Sequence, residues 1–113
     1  MEIEAKKYLY DMHQAAERIA EFTKDRTFAE YEQDVLLRSA VERQFQIIGD
    51  ALGRLARLDP SLAERITDYR RIIAFRNILV HGYAEVDHRI VWDIVQSKLP
   101  TLRREVALLL QDP

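Results

Sequence analysis

Between Arg76 and Tyr83 the chain reads RNILVHGY, which sets an arginine, an asparagine, a histidine and a tyrosine among Ile78, Leu79 and Val80. Polar groups cost free energy when buried without partners, so this mixture calls for a surface or a task. The residue types suit charge stabilisation and proton transfer. Histidine exchanges protons near neutral pH. Arginine keeps its charge and steadies an anion such as a phosphoryl group in transfer. Asparagine can orient the imidazole or hold a phosphate oxygen. No glycine-rich phosphate loop accompanies them, which excludes a P-loop nucleotide hydrolase.

Placed on a helix, these residues separate into two groups. Arg70, Ala74, Asn77 and His81 fall within a sector of roughly 60°, spaced by threes and fours as neighbours on one face are. Arg76 stands about 140° from His81 on an ideal helix, beside Tyr69, Ile73, Val80 and Tyr83. Apolar side chains take most of the remaining circumference, so this helix is expected to pack on several sides. Arg76 rises from that apolar neighbourhood and needs a carboxylate, carbonyl or phosphate partner. Within one chain the geometry is awkward. Two such helices facing across a two-fold axis would bring their polar strips together, so a two-chain site is expected.

The elements that must position these residues are all helical. Three glycines and three prolines punctuate 113 residues, and strand-type alternation is absent. A first helix is expected over residues 3–23, with Tyr8, Met12, Ala15, Ile19 and Phe22 on its apolar stripe. KDRT breaks it, and Thr27 with Glu30 forms a capping box. A second, long helix is expected over 28–58. Its stripe is Val41, Phe45, Ile48, Leu52 and Leu55, widened by Ile47 and Ala51. Asp59-Pro60 ends it and starts a short third helix. Asp68 caps a fourth helix, which Gly82 ends. Asp87 caps a fifth that carries Ile90, Val91, Ile94 and Val95. Pro100 kinks or restarts it, and Leu102, Val106 and Leu109 continue the stripe. The expected architecture is an all-α, up-and-down bundle of four to five helices in one domain spanning 1–113.

Composition narrows the function classes. Hydrophobic residues at 48% and charged residues at 32% describe an ordinary globular chain. With no cysteine, neither a disulfide framework nor a thiolate metal site is available. Met1 leads into the charged run EIEAKK and no apolar run reaches membrane-spanning length, so a cytoplasmic protein without a membrane span is expected. The net charge of −2 argues against a chain coated for nucleic acid. Its distribution says more: residues 1–34 hold nine acids and five bases, residues 35–113 ten acids and twelve bases. Arg54, Arg57, Arg65, Arg70, Arg71 and Arg76 share one short segment, which permits a local anion site.

Arg76, four residues, His81, one residue and Tyr83 reproduce the RX4HXY signature, and the chain resembles the HepT-like toxins of the HEPN superfamily of helical ribonucleases. Asn77 fills the polar place after the arginine. IIGDA at 47–51 resembles the family's IGEA-type stretch, and VWDIVQSKLPTL at 91–102 resembles its aromatic-then-LP segment. The resemblance covers essentially the whole chain. It implies a HEPN-type homodimer whose Arg–His motifs meet at the interface and cut RNA, transfer RNA or messenger RNA, with no metal or other cofactor. It implies a type VII-like toxin–antitoxin pair, in which a minimal nucleotidyltransferase antitoxin adenylylates the motif tyrosine. Carried over, Arg76 and His81 are catalytic, Tyr83 is the modified residue, and Asn77 and Arg70 support the site. Asp50 stands in the place of the family glutamate, one methylene shorter, as an orienting group.

Other readings remain open on sequence alone. Arg70, Asn77 and His81 could hold a nucleotide without cutting RNA, in a substrate-binding subunit of a minimal nucleotidyltransferase. A helical dimerisation module would have His81 capping its helix and Arg76 paired to Asp50 or Glu42. A metal site is a weaker reading: Glu85 and His88 have Glu-x-x-His spacing but occur once, and His13 with Glu17 supplies two ligands only.

Overall fold

The computed structural model describes residues 1–111. Helix α1 (Ile3–Thr23) buries Leu9, Met12, Ala15 and Ile19 completely and Tyr8 and Phe22 in part. Thr27 and Glu30 form the expected capping box: the Thr27 hydroxyl accepts from the Glu30 N–H, and the Glu30 carboxylate accepts from the Thr27 N–H. This box starts α2 (Phe28–Gln33).

The long second helix expected from residue 28 is broken at Asp34, and α3 covers Val35–Leu58. Aspartate competes for backbone donors and so favours caps over helix interiors. Here its carboxylate accepts from Leu37 N–H at 3.0 Å and restarts the chain in a new direction. The break swings Tyr31 onto Trp92, with ring centroids 5.3 Å apart, and buries it fully. Downstream the expected stripe holds, since Val41, Phe45, Ile48, Ala51, Leu52 and Leu55 are all buried. Fully burying a side chain of this size contributes roughly 1.5–3 kcal/mol.

Asp59 caps the four-residue α4 (Pro60–Ala63) through Leu62 N–H. Helix α5 (Tyr69–His81) carries the motif. Its cap differs from expectation: Asp68 takes a left-handed backbone (φ 58°) and makes no side-chain cap hydrogen bond. Its carboxylate instead lies 3.9 Å from Lys98 Nζ. The start of α5 is held by Thr67, whose N–H and hydroxyl both donate to the Glu105 carboxylate at 2.9 and 2.7 Å. Gly82 ends the helix as expected, with its N–H on Ile78 O at 2.8 Å. Its φ of −115° is an ordinary one, so the position does not require left-handed freedom.

Asp87 caps α6 (His88–Ser97) through Arg89 and Ile90 N–H. Pro100 sits in the first turn of α7 (Leu99–Leu110), so it restarts the chain as a separate helix. The described residues therefore form an all-α bundle of five longer helices, with α2 and α4 as short additions. The extents of 42 × 29 × 19 Å leave depth for two helix layers. Helix α1 packs on α3 and α7, α6 packs on α7 and α2, and α5 rests chiefly on α3. In contrast to the expected packing on several sides, α5 buries only Leu79 fully, and Ile78 is 52% exposed. None of the described helices is long and apolar enough to cross a membrane.

Candidate active site

Helices α3 and α5 meet where Gly49 faces Arg76. A Cβ built on Gly49 would lie 2.2 Å from Arg76 Cβ and 2.7 Å from its Cγ, inside any tolerable contact. Glycine at 49 therefore lets the backbone of α3 lie directly against the arginine stem. The next residue receives the head group: Arg76 Nε donates to Asp50 Oδ1 at 2.5 Å. Arg76 Nη1 donates to Asn77 Oδ1 at 3.1 Å. A guanidinium carries five N–H donors, so these two bonds fix its orientation and leave the others for an anion. The side chains of Arg76 and Asp50 keep 27% and 38% of their surface exposed, so the pair is sheltered on one side and open on the other.

Asp50 thus reaches Arg76 despite its shorter side chain, because the close approach at Gly49 supplies the missing length. Asn77 also departs from the wheel. Its place on the backbone belongs with His81, but its amide oxygen turns to the Arg76 guanidinium. An ideal wheel compares Cα directions and ignores the reach of a long arginine.

His81 is the last residue of α5, exposed, and its imidazole makes no hydrogen bond or ion pair among the described residues. It does not cap its own helix through the side chain, which removes half of the purely structural reading. The other half, an Arg76–Asp50 pair, is present. Tyr83 opens a 3-10 turn (Tyr83–Glu85) and is 73% exposed, so its hydroxyl is accessible in one chain. Arg70 is exposed too, with its guanidinium 5.3 Å from the Tyr69 ring centroid. One chain therefore brings Arg76, Asn77 and Asp50 together. His81, Tyr83 and Arg70 stand on the same helix and its exit without a hydrogen bond to that trio.

Gly49 was not singled out by residue chemistry. A signal existed: glycine inside a helix costs about 1 kcal/mol relative to alanine, so it calls for a packing reason.

Where α2, α3 and α6 come together a second polar group is partly sequestered. Burial raises the Glu42 carboxyl above its ordinary value of 4.5, an effect offset in part by His88 and Arg38. Burial, reinforced by Glu42, also raises the Tyr31 phenol. The Tyr31 hydroxyl and His88 Nδ1 are both buried without a hydrogen-bond partner. Among the described residues no three His, Asp or Glu side chains gather as a metal-binding group. Glu85 and His88 lie in the turn and in the first position of α6, so they do not share a helix face.

Residues 12–109 match the family model described as "Ribonuclease HepT-like". The chain is 32% identical over 106 residues to "Putative RNase MJ1380" of Methanocaldococcus jannaschii, covering 94% of this chain and 96% of that protein. It is 33% identical over 102 residues to "Probable ribonuclease HepT" of Thermococcus cleftensis, covering 87% and 88%. It is 29% identical over 104 residues to "Putative RNase TTE0752" of Caldanaerobacter subterraneus, covering 92% of each. No solved structure gives a significant match.

Proposed function

Because this chain belongs to the HepT-like ribonuclease family, we propose that it is a metal-independent endoribonuclease whose site is built on Arg76 and His81. The observation that carries this reading is the state of the two side chains. Arg76 is aimed by Asp50 and Asn77 with donors to spare, and His81 is exposed and unengaged. In this reading Arg76 is the anion clamp and His81, further along the same helix, the proton exchanger.

In the proposed reaction the ribose 2′-hydroxyl loses its proton to a His81 imidazole and its oxygen bonds to the adjacent phosphorus. The bond from phosphorus to the 5′-oxygen breaks, that oxygen takes up a proton, and a 2′,3′-cyclic phosphate remains. Arg76 steadies the charge that grows on the phosphoryl oxygens. The chemistry needs the 2′-hydroxyl. An oligoribonucleotide with one 2′-deoxy nucleotide at the mapped cleavage position should stay intact there while its all-ribose counterpart is cut to a cyclic-phosphate end. Cutting of both alike would remove the mechanism.

We further propose that two chains complete the site. Helix α5 is rich in apolar residues yet leaves Ile78 more than half exposed one turn before His81. Beside it, Phe45, Ile72, Phe75, Ile94, Leu99 and Leu102 line an open groove of about 250 Å³. Burying such surface against a second copy would bring two His81 strips face to face. Sedimentation should show a dimer that Ile78→Glu dissociates together with activity; a fully active monomer would sink this part.

The proposed regulation is adenylylation of Tyr83 by a minimal nucleotidyltransferase antitoxin, as in a type VII-like pair. The exposed phenol sits two residues beyond His81. A bulky anionic adduct there would fill the groove in which RNA must lie and repel its phosphates. The domain spanning 1–113 would act as one unit in both roles.

A further inference from the structure

Next to the Arg76 trio, α1 and α3 enclose a recess of about 140 Å³ lined by Lys7, Tyr8, Asp11, Ile47, Asp50 and Arg54. One wall is common to both sites. Asp50 lines the recess, and its Oδ1 is the acceptor of Arg76 Nε. Lys7 and Arg54 are exposed, and neither has an ion-pair or hydrogen-bond partner among the described residues. Some surface cations are matched, as in Arg103 on Glu17 and Arg89 on Asp93, so what sets Lys7 and Arg54 apart is that they line one recess together with the carboxylate that holds Arg76. In the recess only Asp11 and Asp50 oppose Lys7 and Arg54, and Asp50 already answers Arg76. The local balance is therefore positive beside a clamp for phosphate, in a chain whose net charge is −2.

We propose that this recess is a second phosphate subsite for single-stranded RNA. Lys7 and Arg54 hold the backbone phosphate of the nucleotide next to the one at Arg76, with the Tyr8 hydroxyl as an additional donor. The subsite rests on the reading of Arg76 and His81 as an RNA-cutting site, and it adds the path of the strand, from α5 across α3 toward α1. Contacts to phosphate position a strand without reading its sequence. Lys7 and Arg54 thus govern affinity and salt dependence for long substrates, whereas the chemical step belongs to the motif.

The test measures binding of a short fluorescent oligoribonucleotide of mixed sequence to the full chain carrying His81→Ala, with and without Lys7→Gln and Arg54→Gln. The double replacement should weaken binding about tenfold at low salt and reduce the slope of log K against log salt by roughly 0.7 for each lost contact. In the otherwise native chain, it should lower cleavage of the long oligonucleotide but leave cleavage of a dinucleoside monophosphate unchanged. Both side chains are exposed, so the melting temperature should not move.

Unchanged affinity and slope would overturn the subsite, as would equal loss on the dinucleotide and the long substrate. Absence of any RNA binding by the His81→Ala chain would overturn it as well. If the native chain cut no RNA while the double replacement still weakened binding with the reduced slope, the ribonuclease reading would fall and the subsite would stand.

Discussion

The Cα of Gly49 lies directly against the stem of Arg76: the Cβ that any other residue would add falls 2.2 Å from Arg76 Cβ. Two helices can approach this closely only where one side chain is missing. Arg76 is thereby placed by a residue with no chemistry of its own.

Gly49→Ala should therefore damage the site more than the fold. Separating α3 from α5 should cost about 1–3 kcal/mol of overpacking strain, and the displaced guanidinium should lower kcat by up to about a hundredfold. Gly53 supplies the control on the same helix, since a Cβ there meets nothing within 4 Å. Gly53→Ala should raise stability by about 0.5–1 kcal/mol through the lower entropy of the unfolded chain and leave cleavage intact. Thermal melts and single-turnover cleavage of both variants check the pair.

Asp50 holds Arg76, and in the proposed mechanism it acts through that arginine as a positioning residue. Its pair with Arg76 is more than a quarter exposed on both sides, so Asp50→Ala should cost no more than about 1 kcal/mol of stability. The loss should fall on kcat with little change in KM, and Asp50→Glu should restore part of it. Arg76→Lys should rescue nothing, because an ammonium lacks the fork that bonds Asp50 and Asn77 together. Equal kcat in native and Asp50→Ala chains would leave Asp50 as a surface ion pair only.

A Tyr83 variant should separate the proposed regulation from the proposed catalysis. Tyr83→Phe should still cut RNA but should gain no adenylyl mass when co-expressed with a minimal nucleotidyltransferase, and its toxicity should escape that partner. An adenylyl adduct on the Phe variant would place the acceptor elsewhere.

Two carboxylates should give opposite pH signatures. Glu17 is held below its ordinary 4.5, chiefly by its hydrogen bonds from Arg103. Its contribution is present above 4.5 and lost as pH falls through the depressed value, so Glu17→Gln should lower the melting temperature at neutral pH, and that loss should vanish in acid. Glu42 is held above 4.5 by burial, so its charge destabilises the fold at neutral pH. Glu42→Gln should raise the melting temperature there, a gain that fades as pH falls toward 4.5. Melts of both variants across this range test the signs.

The helical stripes, the caps at Thr27, Asp59 and Asp87, and the restart at Pro100 were legible because each depends on local periodicity or on a cap within three residues. The break at Asp34 was hidden by apolar residues on both sides, and its benefit lies far along the chain, where Tyr31 meets Trp92. The cap at Asp68 failed because Glu105, from a distant helix, secures Thr67 instead. The motif itself was readable as residue types. Its internal order was not: a wheel set Asn77 apart from Arg76, whereas side-chain reach and the contact at Gly49 join Asp50, Arg76 and Asn77 into one unit.

The most direct measurement is cleavage of RNA by the purified chain in excess chelator, beside His81→Ala prepared identically and shown by circular dichroism to be folded. Metal-independent cleavage that depends on His81 predicts cut RNA with the native chain and intact RNA with the variant. Intact RNA with both, or equal cleavage by both, would contradict it.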